Sequence, residues 1–229
     1  MNNTEKYRIL DATQLKLIAM VCMLIDHVGD FFPNRIWMKA VGRIAMPLFS
    51  FMISEGYYYT HDKMNYLKRM LIFALISELP FDLFVYGRLN WNHQNIMFTF
   101  AICIIALFIR DRIVEKKNDY TGLILGNLAA LFTGVMFTLL LRTDYFFYPV
   151  LLILLFYHFR DYPHLVKNAI ILVFQVATRN VGHYIFGALS VIPLVLYNGK
   201  KGKGYKYLFY AFYPGHFLLL YLIRLLIVK

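Results

Sequence analysis

The stretch "LIAMVCMLIDHVGDFF", residues 17–32, decides the fold class. It is apolar from Leu17 to Ile25 and then carries Asp26, His27 and Asp30. The apolar run reads as a membrane-spanning helix. A charged residue at the bilayer centre costs about 2.5–3.5 kcal/mol on insertion scales, so three titratable groups near one end need a reason. At 1.5 Å per residue a helix over 14–32 is about 28 Å long, and His27 lies about 7 Å inside its far end. Lys16, Met20, Met23, His27 and Asp30 recur at the three- to four-residue spacing of one helix face. Asp26 is rotated about 100° from His27, so Asp30 is the better placed carboxylate to orient the imidazole. Clustered ionisable groups inside a membrane mark a functional site. The alternative is a polar face satisfied by neighbouring helices.

The rest of the chain agrees with a membrane setting. It has 229 residues, of which 60% are hydrophobic and 16% charged. A soluble domain is about 45–50% apolar and about 25% charged. The apolar residues come in long blocks joined by short polar or basic loops, without the alternation of a transmembrane barrel. This predicts an all-α polytopic membrane bundle, one domain over 1–229. Nine spans are read, over 14–32, 40–60, 67–86, 94–112, 121–141, 145–159, 167–178, 183–198 and 206–227. The sixth and seventh fall short of the roughly 20 residues a crossing needs, so about eight to ten is the range. The polar start "MNNTEKYRIL" lacks the pattern of a cleavable signal peptide. Cys22 and Cys103 sit inside apolar runs as small fillers, and neither a disulfide framework nor a metal-ligand spacing is present.

The net charge of +11 is read as topology rather than as nucleic-acid binding. Basic residues concentrate in alternate loops: Lys63, Lys68 and Arg69; Arg110, Arg112, Lys116 and Lys117; Arg160 and Lys167; Lys200, Lys201, Lys203 and Lys206. The positive-inside rule then puts the N-terminus in the cytoplasm and the chain in the cell (inner) membrane. The loop "NGKKGKGYK", 198–206, resembles a phosphate loop in composition only and lacks the Walker spacing.

The second span, "VGRIAMPLFSFMISEG" over 41–56, places Arg43, Pro47, Ser50 and Ser54 on one face, with Glu55 and Gly56 closing it on the cytoplasmic side. Arg43 comes to the depth of Asp26 and His27. An arginine there needs an anion or carbonyls, supplied either by those carboxylates or by a substrate. Pro47 is expected to kink the helix and free a carbonyl. Further polar islands are "SELPFD", with Glu78 and Asp82 around Pro80, and "NWNHQNIMFTF", with Asn92, His93 and Asn95, where Asn95 and Thr99 share a face. In "YAFYPGHFLLLY", His216 lies mid-span as a core hydrogen-bonder or a pocket residue.

Four segments in this order, "KLIAMVCMLIDH" (16–27), "GRIAMPLFSFMISEG" (42–56), "NIMFTFA" (95–101) and "YLFYAFYPGHFLLLYLI" (207–223), resemble the TraX family over about residues 11–227. That family is named for the inner-membrane protein of F-type conjugation that acetylates the pilin N-terminus. The second segment is also similar to the "plFFvlSG" helix of the wider membrane acyltransferases, the acyltransferase-3 group and the heparan acetyl-CoA N-acetyltransferase group. The resemblance implies a membrane acetyltransferase that uses acetyl-CoA as cosubstrate, with no tightly bound cofactor. Its acceptor would be an amine or hydroxyl of a pilin-like peptide or a glycan. It makes His27 the candidate catalytic residue and Arg43 the matching basic one.

Acyl transfer from a thioester needs a base for the acceptor proton and donors for the oxyanion. His27 suits the first role, oriented by Asp30 or Asp26. Arg43 and Asn95 suit oxyanion, pantetheine or phosphate contacts. Lys16, Ser50, Glu55 and His216 complete the substrate- and CoA-binding candidates. Direct transfer and an acetyl-His intermediate both fit. A transporter or flippase would favour matched internal repeats, and the halves show no self-similarity. A non-catalytic assembly factor for conjugation or secretion should tolerate loss of His27. The metalloprotease HExxH motif is absent, as is the four-residue His-to-Asp spacing of glycerolipid acyltransferases.

Overall fold

The structure is a computed structural model that describes residues 7–178 and 184–227. Residues 1–6 of the polar start, position 183 of the span read at 183–198, and the Lys206 side chain lie outside the described residues. The described backbone is helical. In chain order it forms α1 (Ala12–Val28), continued by a 3₁₀ turn (Gly29–Phe31), α2 (Ile36–Gly42), α3 (Ala45–Tyr59), α4 (Lys63–Tyr86) and α5 (Ile96–Lys117). There follow α6 (Tyr120–Leu140), α7 (Tyr148–His158), α8 (His164–Ala177), a 3₁₀ segment (Tyr184–Ser190), α9 (Val191–Val195) and α10 (Lys206–Ile227). Among the described residues, β structure is limited to the isolated bridges Leu10–Tyr197 and Gln94–Thr143.

Among the described residues, four segments are long and apolar enough to cross a membrane: Ala12–Phe31, Ile36–Tyr59, Tyr120–Leu140 and Tyr207–Ile227. Helices α4 and α5 have the length, 24 and 22 residues, but carry charges such as Lys68, Arg69, Glu78 and Asp82, or Arg110, Asp111 and Arg112. Helices α7 and α8 have 11 and 14 residues, below the roughly 20 of a full crossing, as their short apolar runs foretold. The second span is broken in a way the sequence did not suggest. Its interruption falls at Arg43–Ile44, between α2 and α3. Pro47 stands in the first turn of α3, where its missing N–H would have had no intrahelical partner, so it opens a helix instead of kinking one.

Side-chain caps fix where the helices begin. Asp11 and Gln14 form a capping box on α1, and Asp62, Asn95 and Asp119 accept from the first turns of α4, α5 and α6. Each such cap contributes about 0.5–2 kcal/mol. Close packing is set by α6, whose Gly122, Gly126, Ala130 and Gly134 form a buried stripe at four-residue spacing. A side chain at Gly126 would press on the Arg110 carbonyl of α5, and one at Gly134 on Val150 of α7. Small residues let helix backbones approach where lipid offers no hydrophobic drive. Outside this stripe α6 exposes Leu128 and Phe132, and α10 exposes Leu226 and Ile227, the apolar surface that a bilayer accepts.

The helices alternate in direction, which sorts the loops into two ends. At one end the Asp144 N–H donates to the Gln94 carbonyl (2.8 Å), and Arg224 near the end of α10 donates to the Phe84 carbonyl of α4 (3.1 Å). At the other end Ala12 donates to the Lys200 carbonyl (2.8 Å), and Lys63 meets Asp111 (2.9 Å). The end of α1 that carries His27 belongs to the first set. The lysine-rich loop 198–205 belongs to the second.

Candidate functional site

A cavity of about 360 Å³ opens at the His27 end. Polar groups Asp26, His27, Asp30, Lys39, Arg43, His93, Asp144 and Tyr145 line it, with Phe81, Phe84, Phe146 and Phe217 as the apolar part of the wall. The last turn of α1 supplies Asp26 and His27, the helix break at Arg43 supplies a cation, and the loops before α5 and α7 close the rim.

Lys39 on α2 ties the acidic groups together. Its Nζ donates to the Asp26 carbonyl (3.0 Å) and lies 3.4 Å from Asp26 Oδ2 and 3.1 Å from Asp30 Oδ1. Arg35 donates to Asp30 as well (2.9 Å). Asp30 therefore pairs with two cations, and the expected Asp30–His27 contact is replaced. The cause is competition for the carboxylate: the chain turns back after the 3₁₀ turn at Gly29–Phe31, and Arg35 and Lys39 take Asp30 while the imidazole turns to α10. Asp26 is no closer substitute, because its Oδ2 is 3.9 Å from His27 Nε2, beyond hydrogen-bond reach.

The imidazole is held instead from α10. His27 Nδ1 is 2.9 Å from His216 Nε2, and His216 Nδ1 is 3.0 Å from the Phe212 carbonyl one turn earlier. The two rings meet edge to edge and nearly parallel, at 15° with centroids 5.1 Å apart. Phe217 and Phe84 frame His27 at 4.7 and 5.9 Å. His216 thus stands behind His27, outside the cavity lining, which resolves its reading in favour of a buried hydrogen-bonding partner.

Arg43 donates to the Tyr145 hydroxyl (2.8 Å), with its guanidinium 5.6 Å from that ring. Tyr145 and Asp144 belong to the loop between α6 and α7, where Arg142, Tyr145 and Phe146 have φ of 50, 60 and 47°. Left-handed backbone in non-glycine residues persists only where its surroundings enforce it, and it clusters at functional sites. Burial pushes the Asp144 carboxyl up to about 6, against the opposing pull of the Tyr145 N–H and of Arg43. Burial likewise lowers His93, partly offset by Asp82.

Four residues expected near substrate stand elsewhere. Asn95 is fully buried as the cap of α5: its Oδ1 accepts from the Met97 N–H (3.0 Å), and its amide donates to the Ala74 carbonyl (2.8 Å) and to Glu78. Lys16 lies eleven residues before His27, about 16 Å along α1, with its Nζ 5.1 Å from the Phe209 ring centre. Ser50 is buried in α3, and Glu55 faces Tyr197, Lys167 and Arg160 at the opposite end. Conversely, Lys39, Asp144 and Tyr145 entered the cavity without being singled out in the sequence. At the opposite end, Asp111 accepts from Lys63 (2.9 Å), Tyr157 (2.9 Å), Tyr57 (3.1 Å) and Arg110 (3.0 Å). Among the described residues, no group of three or more His, Cys, Asp or Glu side chains has an arrangement that could hold a metal.

Comparison with known proteins bears on this architecture. The family model described as "TraX protein" matches residues 11–224. The "Probable fimbrial assembly protein FimC, serogroup H1" of Dichelobacter nodosus is 30% identical over 240 residues, covering 91% of this chain and 93% of that protein. The "Uncharacterized protein RP591" of Rickettsia prowazekii (strain Madrid E) is 36% identical over 66 residues, covering 28% of this chain and 25% of that protein. No solved structure matches. With the family pattern running from α1 through α10 and a relative alike over nearly its whole length, the chain belongs to the TraX family.

Proposed function

We propose that this chain is a multi-pass acetyltransferase of the cytoplasmic membrane, with acetyl-CoA as donor and a peptide amine or a glycan hydroxyl or amine as acceptor. The observation that carries the reading is the cavity itself. A half-buried imidazole presents Nε2 toward it, beside the cations Arg43 and Lys39. In the reaction, the acceptor N–H or O–H gives its proton to His27 Nε2 while its heteroatom bonds to the thioester carbonyl carbon. Arg43, with Lys39 beside it, stabilises the negative charge that develops on the carbonyl oxygen. The C–S bond then breaks, and CoA leaves as a thiolate that takes up the proton. Asp26 and Asp30 keep Lys39 in place. Attack by His27 Nε2 on the thioester, giving an acetyl-His27 that the acceptor then resolves, uses the same groups.

Topology sets one requirement on this reading: the CoA arm must reach from the basic end through the bundle to His27. The end with Lys63, Arg110, Lys116, Lys117 and Lys200 faces the cytoplasm by the positive-inside rule, where it attracts the phosphates of CoA. The N-terminus lies on that side, and the cavity lies on the other. The decisive experiment follows radiolabelled acetyl-CoA with purified protein in nanodiscs, comparing wild type with His27→Ala. Turnover or protein-bound label in wild type, lost in the variant, is the expected result. Absence of both in wild type with amine and sugar acceptors overturns the donor assignment.

A second reading rests on the D. nodosus relative, which is named for fimbrial assembly. A non-catalytic assembly role predicts that His27→Ala still supports fimbria formation when it replaces the wild-type chain in its host.

A further inference from the structure

We infer that His216 is the positioning partner of His27, fixing its tautomer and ring orientation so that Nε2 is the basic nitrogen. The inference rests on the acyl-transfer reading for its chemistry and on hydrogen-bond polarity for its geometry. A carbonyl oxygen only accepts, so His216 Nδ1, 3.0 Å from the Phe212 oxygen, carries a hydrogen. Neutral His216 then has its lone pair at Nε2. That nitrogen is 2.9 Å from His27 Nδ1, which must donate. His27 in its neutral form is therefore the Nδ1–H tautomer, and its basic nitrogen is Nε2, on the ring edge that the cavity exposes. The opposite polarity would set two lone pairs against each other at Phe212, or would place a cation at His216, which is 4% exposed.

Chains of this kind usually end on a carboxylate, and this one ends on a peptide carbonyl. The difference fits the charges that surround the pair. Lys39 and Arg43 line the same cavity as His27, with Asp26 paired to Lys39, while Phe84, Phe212, Tyr213 and Phe217 surround the rings from α4 and α10. When Nε2 takes the acceptor's proton, His27 Nδ1–H keeps donating to His216 Nε2 across 2.9 Å, so the imidazolium stays oriented while its charge lies beside the Asp26 carboxylate of the same cavity. His27 Nε2–H then protonates the departing sulfur. One proton enters at the acceptor and one leaves on CoA.

The test uses full-length protein in nanodiscs and two variants whose folding is checked by thermal unfolding. His216→Gln keeps an acceptor oxygen for His27 Nδ1–H and an amide donor for the Phe212 carbonyl. His216→Phe keeps an aromatic ring in this place and removes both. The Phe variant should lose about 10²-fold or more in kcat, the range of general-base contributions, at nearly unchanged KM for acetyl-CoA. The Gln variant should recover at least about tenfold of that loss. Independently of turnover, ¹⁵N spectra of histidine-labelled protein, assigned with His27→Gln, should show His27 protonated at Nδ1 in wild type and not in His216→Phe. Equal kcat in the Gln and Phe variants overturns the inference, as does an Nε2–H tautomer for His27 in wild type. If wild type has no transferase activity, the spectra still decide the hydrogen-bond chain, and the failure belongs to the acyl-transfer reading alone.

Discussion

Gly42→Ala probes how closely α2 must approach α1. A Cβ on Gly42 would stand 2.5 Å from Asp26 Cγ, where ordinary contact begins at 3.4 Å, and would also collide with Asp26 Cβ and Oδ1. About 1 Å must therefore be found by separating α1 from α2, because turning the Asp26 carboxylate leaves the collision with its Cβ. That separation is resisted. Asp26 is 7% exposed, its main-chain carbonyl is held by Lys39, and its neighbour His27 is clamped to α10. Overpacking of this kind costs about 1–3 kcal/mol. It also moves Lys39 and Arg43, on the α2 side, by about 1 Å relative to His27, and a misplacement of that size can lower turnover by about 10²-fold. Thermal unfolding in detergent and acetyl-CoA turnover measure the two effects. Adding Asp26→Gly, which removes the Cβ as well as the carboxylate, empties the space the methyl needs, so the double variant should be more stable than the sum of its parts predicts. A Gly42→Ala protein with wild-type stability and turnover, or a strictly additive double variant, refutes the argument that this contact sets the geometry of the cavity.

Two further substitutions separate structure from chemistry. Asn95→Ala removes the α5 cap and leaves the Ala74 carbonyl and Glu78 without the Asn95 amide, so it should cost about 2–4 kcal/mol in unfolding experiments while turnover per folded molecule holds; unchanged stability with lost turnover would return Asn95 to the substrate- and CoA-binding candidates. Asp144, with its carboxyl pushed up to about 6, is held protonated more tightly by the folded chain than by the unfolded one. Its stabilising contribution is thus complete below the unfolded value near 4 and is lost as pH rises through about 6. Asp144→Asn should match wild type at pH 4 and exceed it by about 1–3 kcal/mol at pH 8, and a pH-independent difference between the two proteins argues against a perturbed carboxyl.

The elements that one helix determines by itself were legible in the sequence. The apolar runs became helices, the short sixth and seventh runs became short helices, and Asp26, His27 and Arg43 reached one cavity because each sits near the same end of its own span. Illegible features depend on where a helix stops. Helix spacing puts Asp30 on the His27 face, but α1 stops and the chain turns back after Gly29–Phe31, which brings Arg35 and Lys39 onto the Asp30 carboxylate. Asn95 illustrates the same point from the other side. Its spacing to Thr99 suggested a shared polar face, but an Asn at the first turn of a helix is first of all a cap, and that use consumes its carbonyl oxygen.

The loop over 141–147 and the two histidines were hidden for a different reason. Nothing in "LRTDYFFYP" announces three left-handed residues, because it contains no glycine; the conformation is enforced by Gln94, whose carbonyl accepts from Asp144, and by Thr99, whose hydroxyl donates to the Asp144 carbonyl (3.0 Å). His27 and His216 are 189 residues apart, and helix periodicity contains no term that links them. What the sequence did offer was a pair of histidines, each placed inside an apolar span, and an imidazole at membrane depth must find a hydrogen-bond partner or carry the cost of lacking one. Two such groups on the first and last spans satisfy each other when those helices pack together, as α1 and α10 do. The pairing follows from the same accounting that made His27 conspicuous. It needs one further condition, that the carboxylates nearby are already taken by Lys39 and Arg35.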